Sequence, residues 1–128
     1  MKLLFDTHTF LWGDCQPEKL SSTVLDLCRD PDNCLILSVA AAWEIQVKTQ
    51  LGKLQIRRTL NTLLAEQQRV NRLIILPVSL DHVLTLQRLP DHHRDPFDRI
   101  LIAQALVEEA TLLTRDRTIA QYPVVTIW

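Results

Sequence analysis

Residues 92–105, HHRDPFDRILIAQA, carry the clearest structural signal in the chain. Asp95 stands directly before Pro96, which is the arrangement of a helix N-cap followed by proline at the first helical position. Asp98 then falls in the first turn, where an acidic side chain complements the helix dipole. We therefore predict a helix from Pro96 to about Glu109, capped by Asp95.

Short apolar runs alternate with helical patterns along the rest of the chain. This alternation is typical of a parallel sheet with right-handed crossovers. We predict an α/β fold, a three-layer α/β/α sandwich with a mainly parallel central sheet, formed by residues 1–128 as a single domain. The predicted strands are residues 2–5, 34–37, 73–76, 111–114 and 124–127, with the first central and the last at an edge.

Further helices are predicted between these strands. Ser38 is the expected cap of the third of them, and Gly52 suits its C-terminal end. In the fifth, we expect Val83, Leu84 and Leu86 to face inward. The second has start signals at Pro17 and at Ser21-Ser22 and runs to about Arg29, and the other four segments are residues 7–12, 39–50, 57–72 and 81–89.

Composition limits the possible partners and compartments. The net charge of −1 and the pI near 6.4 give no general attraction for nucleic acid, so a polyanion would have to be held by local arginines and a metal. Three cysteines without metal-finger spacing indicate reduced thiols. We find no signal peptide and no run of transmembrane length, and therefore expect a cytoplasmic protein that does not associate with membranes.

Four acidic residues are predicted to meet at one edge of the sheet. Asp6 and Asp116 each close an apolar run, and open α/β sheets bind ligands beyond the carboxyl ends of their strands. Asp98 reaches this edge if its helix is entered from the same side. Glu44 lies six residues after Ser38, about 9 Å along its helix, so only a helix that leans over the edge brings it there.

Gathered carboxylates indicate a metal site. Without a cation they would repel one another, and at least one would take up a proton. Oxygen ligands without a partnering histidine or cysteine suit Mg²⁺ or Mn²⁺. Such a cation can activate water and neutralise charge on a phosphate, which implies phosphodiester hydrolysis. The arginines that could clamp phosphates are Arg94, Arg99, Arg115 and Arg117.

The acidic residues also have purely structural interpretations. Asp98 can act on the helix dipole alone, and Asp116 can cap the turn that follows it. Glu44 can form an i,i+4 pair with Lys48, worth about 0.2–0.5 kcal/mol. Asp6 is the hardest to explain in this way, because an acid beside a buried strand needs a partner.

Histidines and tryptophans are weaker candidates for the site. His92 and His93 could be metal ligands or proton carriers, but they lie in a polar loop after Pro90, and we expect solvent exposure for both. His8 follows Asp6 closely and could orient a phosphate, but packing explains it equally well. Three residues are expected in the core or an interface rather than stacked on bases: Trp12, Trp43 and Trp128.

Four fragments of the chain, taken in order, resemble PIN-domain ribonucleases, most closely the VapC-type toxins of bacterial toxin–antitoxin pairs. They are LFDTH at 4–8, SVAAAWEI at 38–45, DPFDRILIAQA at 95–105 and LTRD at 113–116. The resemblance spans essentially the whole chain. It implies a parallel α/β/α sandwich and a Mg²⁺- or Mn²⁺-dependent endoribonuclease that acts as a toxin.

The resemblance also implies roles for individual residues. Asp6 and Asp98 would be the more direct metal ligands, with Glu44 and Asp116 completing a catalytic quartet, and Thr114 matches the hydroxyl residue usual near the fourth acid. The candidate RNA contacts are Arg99, Arg115 and Arg117. The implied partners are a structured RNA substrate, a cognate antitoxin and a second copy of the chain in a homodimer.

Two other functions are compatible with parts of the pattern. A PIN-like module could bind RNA or protein without cleavage. A phosphoacceptor receiver domain also clusters acids at strand ends, but it needs adjacent N-terminal acids and a late lysine. The chain offers a lone Asp6 and Arg115 instead, so this class is disfavoured.

Overall fold

The computed structural model describes all residues from Met1 to Trp128 and shows an α/β fold whose five-stranded sheet is parallel throughout. The strand order is β3-β2-β1-β4-β5. The predicted fold class, the central position of β1 and the edge position of β5 are thereby confirmed. The strands are β1 (Lys2–Phe5), β2 (Cys34–Ser38), β3 (Ile74–Leu76), β4 (Thr111–Leu113) and β5 (Thr126–Ile127).

Six α-helices flank the sheet, and three short 3₁₀ turns connect elements. The core is apolar on both sides of the sheet, because β1 and β4 bury leucines completely and α6 buries its central residues against them. None of the helices combines the length and apolar character that a membrane crossing requires. The helices are α1 (Thr7–Cys15), α2 (Ser22–Arg29), α3 (Val39–Gln50), α4 (Leu60–Asn71), α5 (Leu80–Thr85) and α6 (Pro96–Glu108), and the 3₁₀ turns are Pro17–Lys19, Leu86–Arg88 and Ile119–Gln121.

The predicted helix caps are confirmed. The Ser38 hydroxyl accepts a hydrogen bond from the Ala40 backbone N–H at 3.0 Å at the start of α3. Asp95 accepts from the backbone N–H groups of Phe97 at 2.9 Å and Asp98 at 3.3 Å. These bonds satisfy donors that the first turn of a helix leaves free.

Helix α4 begins three residues later than predicted. Arg57 and Arg58 turn away from the helix axis, because both guanidinium groups bind Asp14. Arg57 donates to the Asp14 backbone carbonyl at 2.9 Å, and Arg58 donates to the carboxylate at 2.6 Å. The tertiary contacts therefore override local helix propensity, and Thr59 becomes the residue before the helix.

The predicted inward face of α5 is wrong. Val83 is 45% exposed and Leu84 is 49% exposed, whereas His82 and Thr85 are buried. The His82 ring accepts from the Ser79 backbone N–H at 2.9 Å through Nδ1, and its Nε2 lies 2.9 Å from a Glu108 carboxylate oxygen. These polar contacts fix which side of the short helix faces α6. Of the three residues expected to face inward, only Leu86 packs against the core.

His82→Ala should therefore destabilise the protein by about 2–4 kcal/mol, because it removes a buried ring together with the partner of Glu108. Urea unfolding followed by circular dichroism measures the change. Val83→Ala on the exposed side of the same helix is the matched control, with an expected effect of about 0.5 kcal/mol or less. Equal losses in the two variants would contradict the assignment of His82 as the anchor of α5.

Candidate active site

Asp6 lies where β1 ends and α1 begins. Its Oδ1 accepts from the Thr9 backbone N–H at 2.8 Å, which caps α1, and its Oδ2 accepts from the hydroxyl of Thr114, the residue after β4. Its own backbone N–H donates to the Leu113 carbonyl at 3.2 Å. The carboxylate is therefore fixed at the carboxyl edge of the two neighbouring strands, with only 9% of the residue exposed.

Glu44 reaches the same edge because α3 packs against α1 and α6. The residue is 3% exposed. Its Oε1 accepts from the Thr7 hydroxyl at 2.6 Å, and its Oε2 forms the i,i+4 ion pair with Lys48. The hydrogen bond to Glu44 raises the pKa of Lys48 above its ordinary value. Glu44 therefore forms the ion pair with Lys48 and also lies at the edge of the sheet, so its structural and functional interpretations do not exclude each other.

Asp116 lies in the turn after β4. Its backbone N–H donates to the Thr114 hydroxyl at 3.1 Å, and its Oδ1 accepts from the Thr118 backbone N–H at 2.8 Å. The turn-capping interpretation is therefore correct. A carboxylate oxygen has more than one lone pair, so these contacts leave acceptor capacity facing the site.

All four predicted acids line one cavity of about 540 Å³. They come from four separate places in the chain, namely the end of β1, the second turn of α3, the first turn of α6 and the turn after β4. The lining residues are Asp6, Thr7, His8, Trp12, Glu44, Lys48, Asp95, Asp98, Arg115 and Asp116.

The ionised form of Asp98 is disfavoured by this arrangement of acids. Burial first, and then the charges of Asp95 and Glu44, raise the pKa of its carboxyl to about 7, while His93 opposes the shift. The raised pKa favours the protonated form of Asp98. Its direction agrees with the expectation that gathered acids favour proton uptake by one of them.

The donor set fits a divalent cation. Ligand atoms of His93, Asp98 and Asp116 all lie within 4.8 Å of one another, and Asp6 and Glu44 add carboxylate oxygens to the same cavity. Hard oxygen donors favour Mg²⁺ or Mn²⁺, and the raised pKa of Asp98 indicates negative charge that a cation would compensate.

The two histidines behave differently from each other. His92 is exposed, as expected. The same expectation for His93 is wrong, since its side chain is 19% exposed and its Nε2 lies 3.4 Å from Oδ2 of Asp98. Its Nδ1 lies 3.1 Å from the Tyr122 hydroxyl. Tyr122 is 29 residues away in the chain and no sequence motif links the two, so the sequence contained no signal for this contact.

Of the three arginines expected to contact RNA, only Arg115 lines the cavity. Its guanidinium carbon lies 4.4 Å from the centroid of the Trp12 ring. Arg99 instead donates to the Pro90 carbonyl at 2.9 Å and to the Tyr122 hydroxyl at 3.1 Å. Arg117 is exposed outside the cavity.

The tryptophans do not form a buried group. Trp12 is half-buried at the rim of the cavity, where the His8 ring stacks on it and Trp128 meets its edge. Trp43 is 63% exposed and packs edge-on against Phe97. Trp43 therefore lies outside the core, and of the two places expected for it the interface stays a prediction.

A family model for the PIN domain matches residues 3–125. The chain belongs to the PIN-domain family. No curated protein matches this PIN domain in sequence.

Solved structures share the fold of this PIN domain at low sequence identity. VapBC2 from Rickettsia felis, bound to a DNA fragment from its promoter, is 18% identical with a TM-score of 0.76, and the match covers 100% of this chain and 99% of the other. VapBC-1 from nontypeable Haemophilus influenzae is 18% identical with a TM-score of 0.64, covering 99% and 97%. FitAcB from Neisseria gonorrhoeae is 16% identical with a TM-score of 0.60, covering 98% and 96%.

Proposed function

We propose that this PIN domain is a Mg²⁺- or Mn²⁺-dependent endoribonuclease and the toxin of a toxin–antitoxin pair. The observation that carries the proposal is the convergence of four carboxylates from distant parts of the chain on one cavity, where burial and the neighbouring acids raise the pKa of Asp98. Family membership supports the same activity.

The four acids are proposed to have different roles at the metal site. Asp6 and Asp98 would be the more direct metal ligands, as the family resemblance implies. Hydrogen bonds hold Asp6 at the strand edge, and the raised pKa of Asp98 is what a nearby cation would reverse. Glu44 and Asp116 would complete the pocket. A bound cation would lower the pKa of water and neutralise charge on the scissile phosphate.

RNA contacts are proposed at the rim of the cavity. Arg115 can bind a phosphate oxygen with its guanidinium, and the nearby ring of Trp12 limits the orientations of that group. The exposed His8 ring, which stacks on Trp12, offers a flat surface for an unpaired base, and unpaired bases are the parts of RNA that proteins read most readily. Arg99 and Arg117 are weaker candidates because neither lines the cavity.

Partners are proposed from the neighbouring complexes. VapBC2 is bound to promoter DNA, and another solved structure with this fold is a toxin–antitoxin complex from Klebsiella pneumoniae. We propose a cognate antitoxin for this chain, action on RNA in the cytoplasm, and a homodimer as the family resemblance implies. A second copy could cover some of the exposed apolar side chains of this chain, such as Leu51 and Val125.

Incubation of the purified chain with an end-labelled structured RNA tests the proposal. We expect cleavage with Mg²⁺ or Mn²⁺ and none after EDTA treatment. Because water is the attacking group, the products should lack a 2′,3′-cyclic phosphate, which distinguishes them from the products of metal-independent ribonucleases. RNA that is retained in a complex but stays intact with either metal would instead identify a binding module without cleavage activity.

A further inference from the structure

We propose that His93 is a positioning residue of the metal site: Tyr122 holds its ring, and its Nε2–H donates a hydrogen bond that orients the Asp98 carboxylate. This inference rests on the proposed function, because it assigns a supporting residue to the same site. His93 does not line the cavity itself but lies beside it, with Nε2 3.4 Å from Oδ2 of Asp98.

The Tyr122 hydroxyl is the fixed point of this arrangement. Tyr122 is 3% exposed. Its oxygen lies 3.2 Å from the backbone nitrogens of His92 and His93 and 3.1 Å from an Arg99 guanidinium nitrogen. All three of these groups can only donate, so the two lone pairs of the hydroxyl oxygen are shared among three N–H groups.

The tautomer of His93 follows from this set of donors. Since the lone pairs of the Tyr122 oxygen are taken by N–H groups, its own proton has to be donated elsewhere. The neighbouring acceptor is Nδ1 of His93, 3.1 Å away. A neutral imidazole that accepts at Nδ1 carries its proton on Nε2. His93 therefore presents an N–H group, and not a lone pair, to the acids.

The position of Nε2 identifies its partner. The atom is buried and has no aligned hydrogen bond, yet it lies 3.4 Å from Oδ2 of Asp98. A buried donor without a partner is unfavourable, and hydrogen bonds in catalytic sites are often long before ligands bind. We expect this contact to shorten when a cation fixes the carboxylate, because one oxygen of Asp98 then faces the cation while the other accepts from His93.

Mn²⁺ affinity, measured by calorimetry and by electron paramagnetic resonance, tests the role of the donor. His93→Phe keeps a ring of similar size but loses Nε2–H, and we expect it to weaken Mn²⁺ binding by about 10–100-fold. His93→Gln retains an N–H donor at nearly the same reach and should restore part of the affinity. A residue needed only for packing would give the opposite order, with Phe better tolerated than Gln.

His92→Phe is the matched control. His92 is the exposed neighbour, and its side chain only packs against the edge of the Tyr122 ring. We expect wild-type Mn²⁺ affinity in this variant. A loss equal to that of His93→Phe would overturn the proposal, because it would trace the effect to the loop rather than to Nε2.

Nitrogen NMR of the histidine-labelled protein tests the tautomer directly. At a pH well above the ordinary histidine pKa, His93 should be protonated on Nε2 in the wild type and become a mixture of tautomers in Tyr122→Phe. Protonation on Nδ1 in the wild type would overturn the proposal. Nitrogen hyperfine coupling from His93 to bound Mn²⁺ would overturn it as well, since the ring would then be a direct ligand.

The two proposals fail in distinguishable ways. If the wild-type protein cleaves RNA but binds Mn²⁺ no more tightly than His93→Phe does, only the positioning role is overturned. If His93→Phe weakens Mn²⁺ binding but the wild-type protein leaves RNA intact, only the nuclease function is overturned. Wild-type protein that binds no Mn²⁺ overturns both.

Discussion

Asp6→Asn should lower metal-dependent RNA cleavage by about 10³-fold while leaving the fold intact. Asparagine keeps the size of the side chain and an oxygen that can cap α1 through the Thr9 backbone N–H. The Thr114 hydroxyl can rotate to accept from the new amide. The variant loses only the negative charge at the strand edge. A metal ion contributes several kcal/mol to such a transition state, and each 1.36 kcal/mol is tenfold in rate.

Single-turnover cleavage of a labelled RNA in Mn²⁺ measures this effect, with RNA retention in native gels measured beside it. Asp26→Asn is the matched control, because Asp26 is exposed on α2 and does not line the cavity. We expect unchanged RNA retention in both variants and unchanged cleavage in the control. Cleavage at the wild-type rate by Asp6→Asn would remove Asp6 from the active site.

Asp98→Asn should stabilise the metal-free protein at neutral and alkaline pH. The pKa of Asp98 is raised to about 7 in the folded state by burial and by the charges of Asp95 and Glu44, whereas the ordinary value is 3.8. Ionising this carboxyl in the folded protein is therefore unfavourable, and asparagine removes that cost. Because solvent still reaches part of the side chain, we expect a gain of about 1–3 kcal/mol.

The sign of the pH dependence follows from proton linkage. Between about pH 4 and pH 7 the folded protein holds more protons at Asp98 than the unfolded chain does, so stability falls as pH rises through this range. Above pH 7 the wild-type protein has lost all of the stability that protonated Asp98 contributes, and below pH 4 it has lost none of it. The advantage of Asp98→Asn should therefore be largest above pH 7 and disappear below pH 4.

Thermal unfolding in EDTA at several pH values measures this difference, which corresponds to roughly 3–10 °C in melting temperature. Mn²⁺ should reverse the order, because a cation that binds the folded wild-type site stabilises it by mass action and Asp98→Asn binds that cation poorly. A variant that is less stable than the wild type in EDTA at pH 8 would contradict the assigned burial cost.

Local signals in the sequence were sufficient for most of the fold. The buried runs of β1 and β4 and the cap at Asp95 depend on neighbours only a few residues away, and the structure places them where the pattern indicated. Asp6 and Asp116 lie at the same edge of the sheet, because Asp6 directly follows β1 and Asp116 lies just beyond β4.

Features that depend on tertiary contacts were not predictable from spacing. Glu44 reaches the cavity only because α3 leans on α1 and α6, which periodicity does not encode and the family resemblance alone implied. The buried side of α5 is chosen by the contact between His82 and Glu108, against the apolar pattern of the helix. His93 is drawn toward Asp98 by Tyr122, a residue that no motif connects to it.

The two outermost strands of the sheet are short, with three residues in β3 and two in β5. An edge of this length exposes few unpaired backbone groups and is a poor template for another extended chain. Binding by strand addition, which needs such a template, is therefore disfavoured. We expect any protein that captures this chain to hold it through side-chain surfaces, and we expect free chains to resist edge-to-edge aggregation.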